Sequence, residues 1–252
     1  MNFRFAAVFL LPVGLAHAEP RITQSDFGGT GLLQTPTARM APAGELSVNA
    51  NRTEPYSRYS VSLQPLDWLE SSFRYTAITN RPYGSEALSG SQSYKDKAVD
   101  AKVRLWQESH WLPDVALGFR DIGGTGLFSS EYFVANKRYD NFDFSAGIAW
   151  GYLGNRGDID NPLGYVSDRF DTRPALEGTG DVNSGSYFRG KPSFFGGVSY
   201  QTPWDRLSLK LEYEGNDYKH EPKDNVIKQD SPINFGAVFK VADSVDVSAA
   251  WE

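Results

Sequence analysis

The string Gly-Gly-Thr-Gly-Leu occurs twice, at 28–32 and 123–127, each time with an aspartate two residues ahead, Asp26 and Asp121. Glycine-rich turns of this kind cradle phosphates when a strand leads in and a helix follows. They also need an acidic residue about 20 residues on, or a Lys-Ser/Thr pair closing the loop. Neither copy has those companions. The downstream stretches LLQTPTARMAP and LFSSEYFVANK lack a helical period, and no Lys-Ser/Thr pair follows the glycines. The chemistry read here is therefore steric. Gly28, Gly29, Gly31, Gly123, Gly124 and Gly126 are expected to be turn glycines, supplying positive φ or close backbone approach. Repetition points to one structural job done twice. The second copy is expected to fold tightly inward rather than extend into solvent.

Other candidate chemistry is thinner. The acidic residues Asp158, Asp160, Asp168, Asp171, Glu177 and Asp181 are oxygen ligands of the type hard cations prefer. DIDNPLG lacks the full EF-hand spacing, so a solvated external loop is the expected reading. Glu70, Glu212 and Glu214 fall on strand-like segments without the paired geometry of a glycosidase. His110 and His220 fall in turns, away from any triad or metal-ligand pattern. No catalytic residue, metal or cofactor is expected, and the chain is not read as an enzyme. The absence of cysteine removes disulfides, thiolate metal sites, a cysteine nucleophile and a lipid-bearing cysteine together.

The elements that position these residues are strands. Period-two alternation recurs in eleven segments, beginning with ELSVNANR and SRYSVSLQP and ending with INFGAVFKV and SVDVSAAWE. One face is apolar and aromatic; the other is small, polar or charged. Glu70, Arg74, Asp100, Lys102, Arg104, Arg120, Lys210 and Glu212 share the second face and are candidate contacts for a polar polymer such as a polysaccharide. Links after even-numbered segments are short (PLDW, TPWDR, ADS). Three links after odd-numbered segments are long, up to Leu153–Pro192. Short turns at one end and long loops at the other are the layout of an outer-membrane barrel. Strands of about 9–11 residues match a tilted crossing of a bilayer. A soluble sandwich or solenoid shares the alternation and stays open as the alternative. The mean hydropathy of −0.44 is no objection, since half of each barrel strand faces water.

The remaining composition bounds partners and location. A net charge of −6 and a pI near 5.2 give no electrostatic footprint for nucleic acid. Residues 1–18, MNFRFAAVFLLPVGLAHA, read as a secretory signal cleaved after Ala18, with a short apolar core and a small-x-small site. Residues 19–43 are expected to form a periplasmic or lumenal segment carrying the first glycine motif. Residues 44–252 are expected to form the barrel strands.

The stretch DFGGTGLLQTPTARMAPAGELSVNANRTEPYSRYSVSLQPLDWLESSFRYT resembles the YjbH family of exopolysaccharide-associated outer-membrane proteins. DIGGTGLFSSEYFVANKR and FDFSAGIAWGYLGNRGDI are similar to further blocks of that family, and the likeness runs from about Ile22 onward. It implies an outer-membrane β-barrel, in the envelope of a Gram-negative bacterium, that serves secretion or assembly of exopolysaccharide or capsule. The implied partners are outer-membrane lipid, polysaccharide and periplasmic secretion proteins. The alternative is a non-conducting envelope protein whose external loops bind polysaccharide or a partner. No catalytic residue is implied. Family members are longer, eleven strands is an odd number, and the chain stops within a strand-like run. The expectation is an antiparallel transmembrane β-barrel in an incomplete, N-terminal portion of a larger one.

Overall fold

A computed structural model of the chain describes residues 20–174 and 184–252. The expected signal segment with Ala18, and the loop acids Glu177 and Asp181, lie outside the described residues. The architecture is all-β and antiparallel. β1 (Gln24–Ser25) and β2 (Gly28–Thr30) form a small two-stranded sheet. Eleven further strands make one meander in which each pairs with its sequence neighbours. They are β3 (Leu46–Thr53), β4 (Tyr56–Leu66), β5 (Leu69–Pro82), β6 (Ser93–Trp106), β7 (Asp114–Arg120) and β8 (Ser130–Tyr139). β9 (Phe142–Gly151), β10 (Ser193–Gln201), β11 (Leu207–Tyr213), β12 (Ile233–Ala242) and β13 (Val245–Trp251) complete the sheet. Among the described residues the one α-helical turn, α1 (Glu86–Ser89), sits in the link between β5 and β6. Among the described residues no helix is long and apolar enough to cross a membrane.

The strands are those the alternation marks out, and the alternation decides their faces. In β4, Arg58, Ser60, Ser62 and Gln64 are buried while Tyr59, Val61 and Leu63 are exposed. In β5, Glu70, Ser72, Arg74 and Thr76 are buried and Phe73 is exposed. A soluble domain has the reverse arrangement, because burying charge costs free energy unless each group finds a partner. Here the apolar face is the outer one. Links at one end of the sheet are short, 67–68, 107–113, 140–141, 202–206 and 243–244; the other end carries the two-residue link 54–55 and the longer links 83–92, 121–129, 152–192 and 214–232.

What buries the polar face is the chain's own beginning. Residues 20–43 lie against the inner face, and their bonding partners come from strands across the whole sheet. Asn49 of β3 donates to the Ser25 carbonyl at 2.9 Å, and Arg21 pairs with Asp246 of β13 at 2.6 Å. The sheet therefore curls around this segment. Ala38 and Met40 pack with Ala116, Tyr132, Val134, Ala149, Leu153 and Phe195 in a small apolar cluster. Among the described residues the edge strands β3 and β13 are not paired with each other, so the sheet is curled but not closed by hydrogen bonds.

The two glycine motifs do not share a backbone, contrary to the single job that their repetition suggests. In the first, Gly28 and Gly29 take positive φ, 79° and 55°. In the second, only Gly126 does, at 75°. The second copy does fold tightly: Ile122 donates to the Val99 carbonyl at 2.9 Å, and Val99 donates to the Gly123 carbonyl at 3.0 Å. A Cβ on Gly124 would collide with the Lys97 carbonyl oxygen, so that position needs glycine for close approach.

Candidate functional site

Among the described residues, the inner face and the segment it holds gather a dense group of buried charges. Glu212 of β11 accepts from the backbone N–H of Leu33 (2.9 Å), Gln34 (3.0 Å) and Thr35 (2.9 Å), and from the Thr35 hydroxyl at 2.7 Å. Three successive amides converging on one carboxylate are an anion nest, here filled by the protein's own side chain. One residue pair away, Lys210 donates to the carbonyls of Gly31 (3.0 Å) and Leu32 (2.6 Å). Across the interior, Glu70 of β5 accepts from the Thr30 N–H at 2.9 Å and pairs with Lys102 at 3.0 Å. Lys102 also donates to the Thr30 hydroxyl, and to the Arg39 carbonyl at 2.9 Å.

The other charges expected on this face divide. Arg74 donates to the Phe27 carbonyl at 2.9 Å and to Asp100 at 2.6 Å. Arg120 donates to the Gln34 carbonyl at 2.7 Å. Asp100 accepts from the backbone of Asp121 at 2.7 Å, which ties it to the second glycine motif. Arg104 stands apart, 3.7 Å from Asp114. All eight residues thus lie on the face that alternation assigns them. Seven of them join one another or the glycine-motif segments.

Several members were not singled out in the sequence. Arg39 is the hub of an acidic trio, 2.7 Å from Glu108, 2.7 Å from Asp114 and 2.8 Å from Asp143. Burial works to lower its pKa, but the hydrogen bond and charge of Asp143 prevail and hold it above its ordinary value. Asn136 accepts from the Ala38 N–H at 2.7 Å. Phe27 is ringed by three guanidinium groups, those of Arg58, Arg74 and Arg120, at 4.3, 4.8 and 4.2 Å from its centroid. In the sequence Arg39 is marked only by its place in the family-like block that opens at Asp26.

At the long-loop end the two glycine motifs meet. Phe27 precedes the first copy and Phe128 follows the second, and their rings lie 6.0 Å apart edge to face. Tyr56 and Tyr152 close the group at 5.6 and 5.0 Å from Phe128. Above them Glu221, from the link 214–232, accepts from the hydroxyls of Tyr56 and Tyr152 and from the Asn216 amide. Burial pushes its carboxyl up, against the opposing pull of those hydrogen bonds. Asp121 is likewise pushed up, to about 6, by burial and by the neighbouring Asp96. The link 152–192 is tied down by Arg173, whose guanidinium grips Glu131 at 2.7 and 2.9 Å.

Residues that sequence reading set aside stay apart from this site. Asp158, Asp160, Asp168 and Asp171 are exposed, and Asp160 pairs with Lys191 at 2.8 Å. His110 and His220 are exposed in links. Among the described residues no group of three metal-ligating side chains converges.

Comparison with known proteins places this architecture. Residues 23–252 match the YjbH family, described as exopolysaccharide biosynthesis protein YbjH. The chain belongs to the YjbH family. It is 53% identical over 232 residues to the uncharacterized lipoprotein YjbH of Escherichia coli (strain K12). The match covers 91% of this chain and 33% of that relative, so the chain spans about one third of the relative's length. The motif block carrying Glu70 and the first Gly-Gly-Thr-Gly-Leu copy lies within the family match, as does the second copy.

Proposed function

We propose that the chain forms a wall of an outer-membrane β-barrel that serves exopolysaccharide secretion or assembly in a Gram-negative envelope. The carrying observation is the inverted sheet: apolar side chains face outward while buried charges face inward. Val48, Val61, Phe73, Val99, Phe144, Leu209, Leu211, Phe235 and Val247 all lie exposed on the outer face. Lipid satisfies no backbone group, so a hydrogen-bonded sheet with this polarity suits a bilayer. The aromatic distribution supports the same reading. Trp68, Trp106, Trp111 and Trp204 are exposed at or beside the short links, where a membrane–water girdle belongs. Envelope location also agrees with the lipoprotein nature of the relative; within these 252 residues no cysteine is present to carry a lipid.

Within that reading the space inside the curl is filled by the chain itself. The interior is occupied by residues 20–43, and the inward charges bond that segment rather than standing free for a polymer. This favours a sealed structural component, with polysaccharide meeting the loops, over an open conduit. Catalysis forms no part of the proposal, since the strand carboxylates Glu70 and Glu212 are bonded to the chain's own amides.

Envelope fractionation and planar-bilayer recording test it together. The expected result is recovery in the outer membrane with no steady conductance, and reduced exopolysaccharide output when the gene is deleted. Recovery in the soluble periplasm would sink the membrane reading. Steady conductance from the unsubstituted chain would sink the sealed state.

A further inference from the structure

A charge on the outer face of a membrane wall is costly at mid-depth and tolerated at headgroup level. On β6 the inward residues Asp96, Ala98 and Lys102 are buried, so the odd-numbered residues 95–105 face outward. Val99, Ala101, Val103 and Leu105 continue the apolar stripe, and Lys97 and Lys95 stand above them towards the long-loop end.

The hydrogen-bonded register fixes the neighbours of these lysines. Tyr59 of β4 stands opposite Tyr75 of β5, and Tyr75 opposite Lys97. One step nearer the long-loop end, Ser57 stands opposite Ala77, and Ala77 opposite Lys95. Arg52 of β3 ends that row beside Ser57, already paired with Glu54 at 2.6 Å. The two lysines lie on one face of one strand, about 7 Å apart, and the patch spans two strand spacings, roughly 10 Å. Neither lysine has a carboxylate partner among the described residues. Lys95 donates to the Ser93 hydroxyl at 2.6 Å, while Asp96 and Asp100 are turned to Thr125 and Arg74. Towards the same end of β7–β9 the outer face is covered by its own link, with Tyr187 and Phe188 against Phe119, Phe133 and Trp150. On β4–β6 the outer face stays open.

Depth places the patch. From Lys97 to Trp106, one of the exposed tryptophans by the short links, β6 advances nine residues. At about 3.3 Å per residue and a tilt of about 40° that is about 23 Å across the membrane, close to the apolar band of about 25 Å in outer-membrane barrels. The lysines therefore reach the headgroups of the leaflet at the long-loop end.

We propose that the outward patch of Lys95, Lys97, Tyr59 and Tyr75 binds the phosphorylated headgroup of a glycolipid in that leaflet. This inference rests on the membrane-spanning reading. Two unpaired ammonium groups at this spacing take one phosphate from two sides by charge-assisted hydrogen bonds. The tyrosines offer ring faces and hydroxyls to a sugar at the membrane–water boundary. A free acidic polymer suits the patch less well, because the lysines point along the outer wall rather than into the mouth of the curl. β4, β5 and β6 are interior strands, each paired on both sides, so the patch is complete within them.

The test uses the full chain in detergent, mixed with bisphosphorylated lipid A, with bound lipid read by native mass spectrometry. The comparison lipid is lipid A stripped of phosphate. Lys95→Gln and Lys97→Gln are made singly and together. Lys95→Arg with Lys97→Arg keeps the charge. Lys191→Gln with Lys228→Gln removes the same charge from exposed link residues. The expected loss of affinity for bisphosphorylated lipid A is about fivefold for each lysine and about thirtyfold for the pair. The arginine pair and the link pair are expected to bind as the unsubstituted chain does, and removal of phosphate to weaken binding as far as the double glutamine variant does.

Unchanged binding in the double glutamine variant would overturn the proposal. So would an equal loss in the arginine pair or the link pair, or indifference to phosphate. Displacement of the lipid by polygalacturonate, dependent on the same two lysines, would overturn it in favour of a free acidic polymer. Fractionation keeps the two readings apart: outer-membrane recovery without lysine-dependent lipid binding defeats the patch alone, whereas recovery in the soluble periplasm defeats the membrane reading.

Discussion

In the first Gly-Gly-Thr-Gly-Leu copy the leading glycines take positive φ and the last does not; in the second copy the last one does and the leading pair does not. The surroundings differ as much as the backbones. The first copy is gripped by side chains that arrive from remote strands: Glu70, Lys102 and Lys210 all bond residues Thr30 to Leu32. The second lies along its own neighbouring strand, exchanging backbone hydrogen bonds with Lys97 and Val99 of β6. The pentapeptide thus has no conformation of its own. What the copies share is tolerance of close approach, and what each becomes is set by its partners. One copy is held by charges from remote strands, the other by backbone pairing with β6 and by the β6 carboxylate Asp96, which accepts from the Thr125 hydroxyl.

That contrast makes unequal demands on substitution. The largest loss is expected at the charged hub beside the first copy. Arg39→Met removes the cation shared by Glu108, Asp114 and Asp143, leaving Lys137 on Glu108 at 3.0 Å and the looser Arg104 and Arg138 on the other two; removing one partner of a buried ionic group costs about 3–5 kcal/mol. Denaturant unfolding of the purified chain reads this, and a loss no larger than that at any second-copy residue would break the contrast. Next is Glu212→Gln, which keeps the shape but removes the charge accepting three amides. The expected loss is about 1–3 kcal/mol, with greater protease sensitivity confined to residues 20–43.

The glycines sharpen the comparison position by position. A Cβ at Gly28 would meet the Ser60 hydroxyl at 2.7 Å, on a backbone that already has positive φ. At Gly123 the nearest atom is the Val99 Cβ at 4.0 Å, and no positive φ is present. Gly28→Ala should therefore lose more than about 1 kcal/mol, whereas Gly123→Ala should stay within roughly 0.5 kcal/mol. Equal effects in thermal melts would mean that the two environments are not distinct.

The smallest expected effect is in pH dependence, and it belongs to the second copy. Burial and the neighbouring Asp96 push the Asp121 carboxyl up to about 6 in the folded chain, from an ordinary value of 3.8. Between those values the folded state holds the proton more tightly than the unfolded one, so this group's contribution to stability falls as pH rises through the window. Glu221, also shifted upward, acts in the same sense. Melting curves of the native chain and of Asp121→Asn should differ in slope between about pH 4 and 6, with the variant flatter. Identical slopes would remove Asp121 from the account.

Much of this was legible in the sequence, and the limit is physical. Period-two alternation located the eleven strands of the main sheet and assigned Glu70, Arg74, Lys102, Lys210 and Glu212 to one face. Alternation says which way a side chain faces; it does not say what fills the space in front of it. Residues 20–43 carry strands of only two and three residues, too short for a period, so their place inside the curl left no pattern to read. Arg39 lies outside every strand, and its partners Glu108, Asp114 and Asp143 come from distant parts of the chain. The glycine repeat misled for a related reason: identical local sequence was overridden by different tertiary partners.

The central claim is that inward charges hold residues 20–43 inside the sheet, and the accessibility of that segment tests it most directly. Thr37 is 6% exposed, while Asp205, in a short link, is open to solvent. Each is replaced by cysteine in the otherwise thiol-free chain and treated with a membrane-impermeant maleimide in outer-membrane preparations opened from both sides. The account predicts that Thr37→Cys reacts at least tenfold more slowly than Asp205→Cys, and that adding Glu212→Ala removes most of this protection. Equal labelling of the two thiols in the otherwise unsubstituted chain would contradict it.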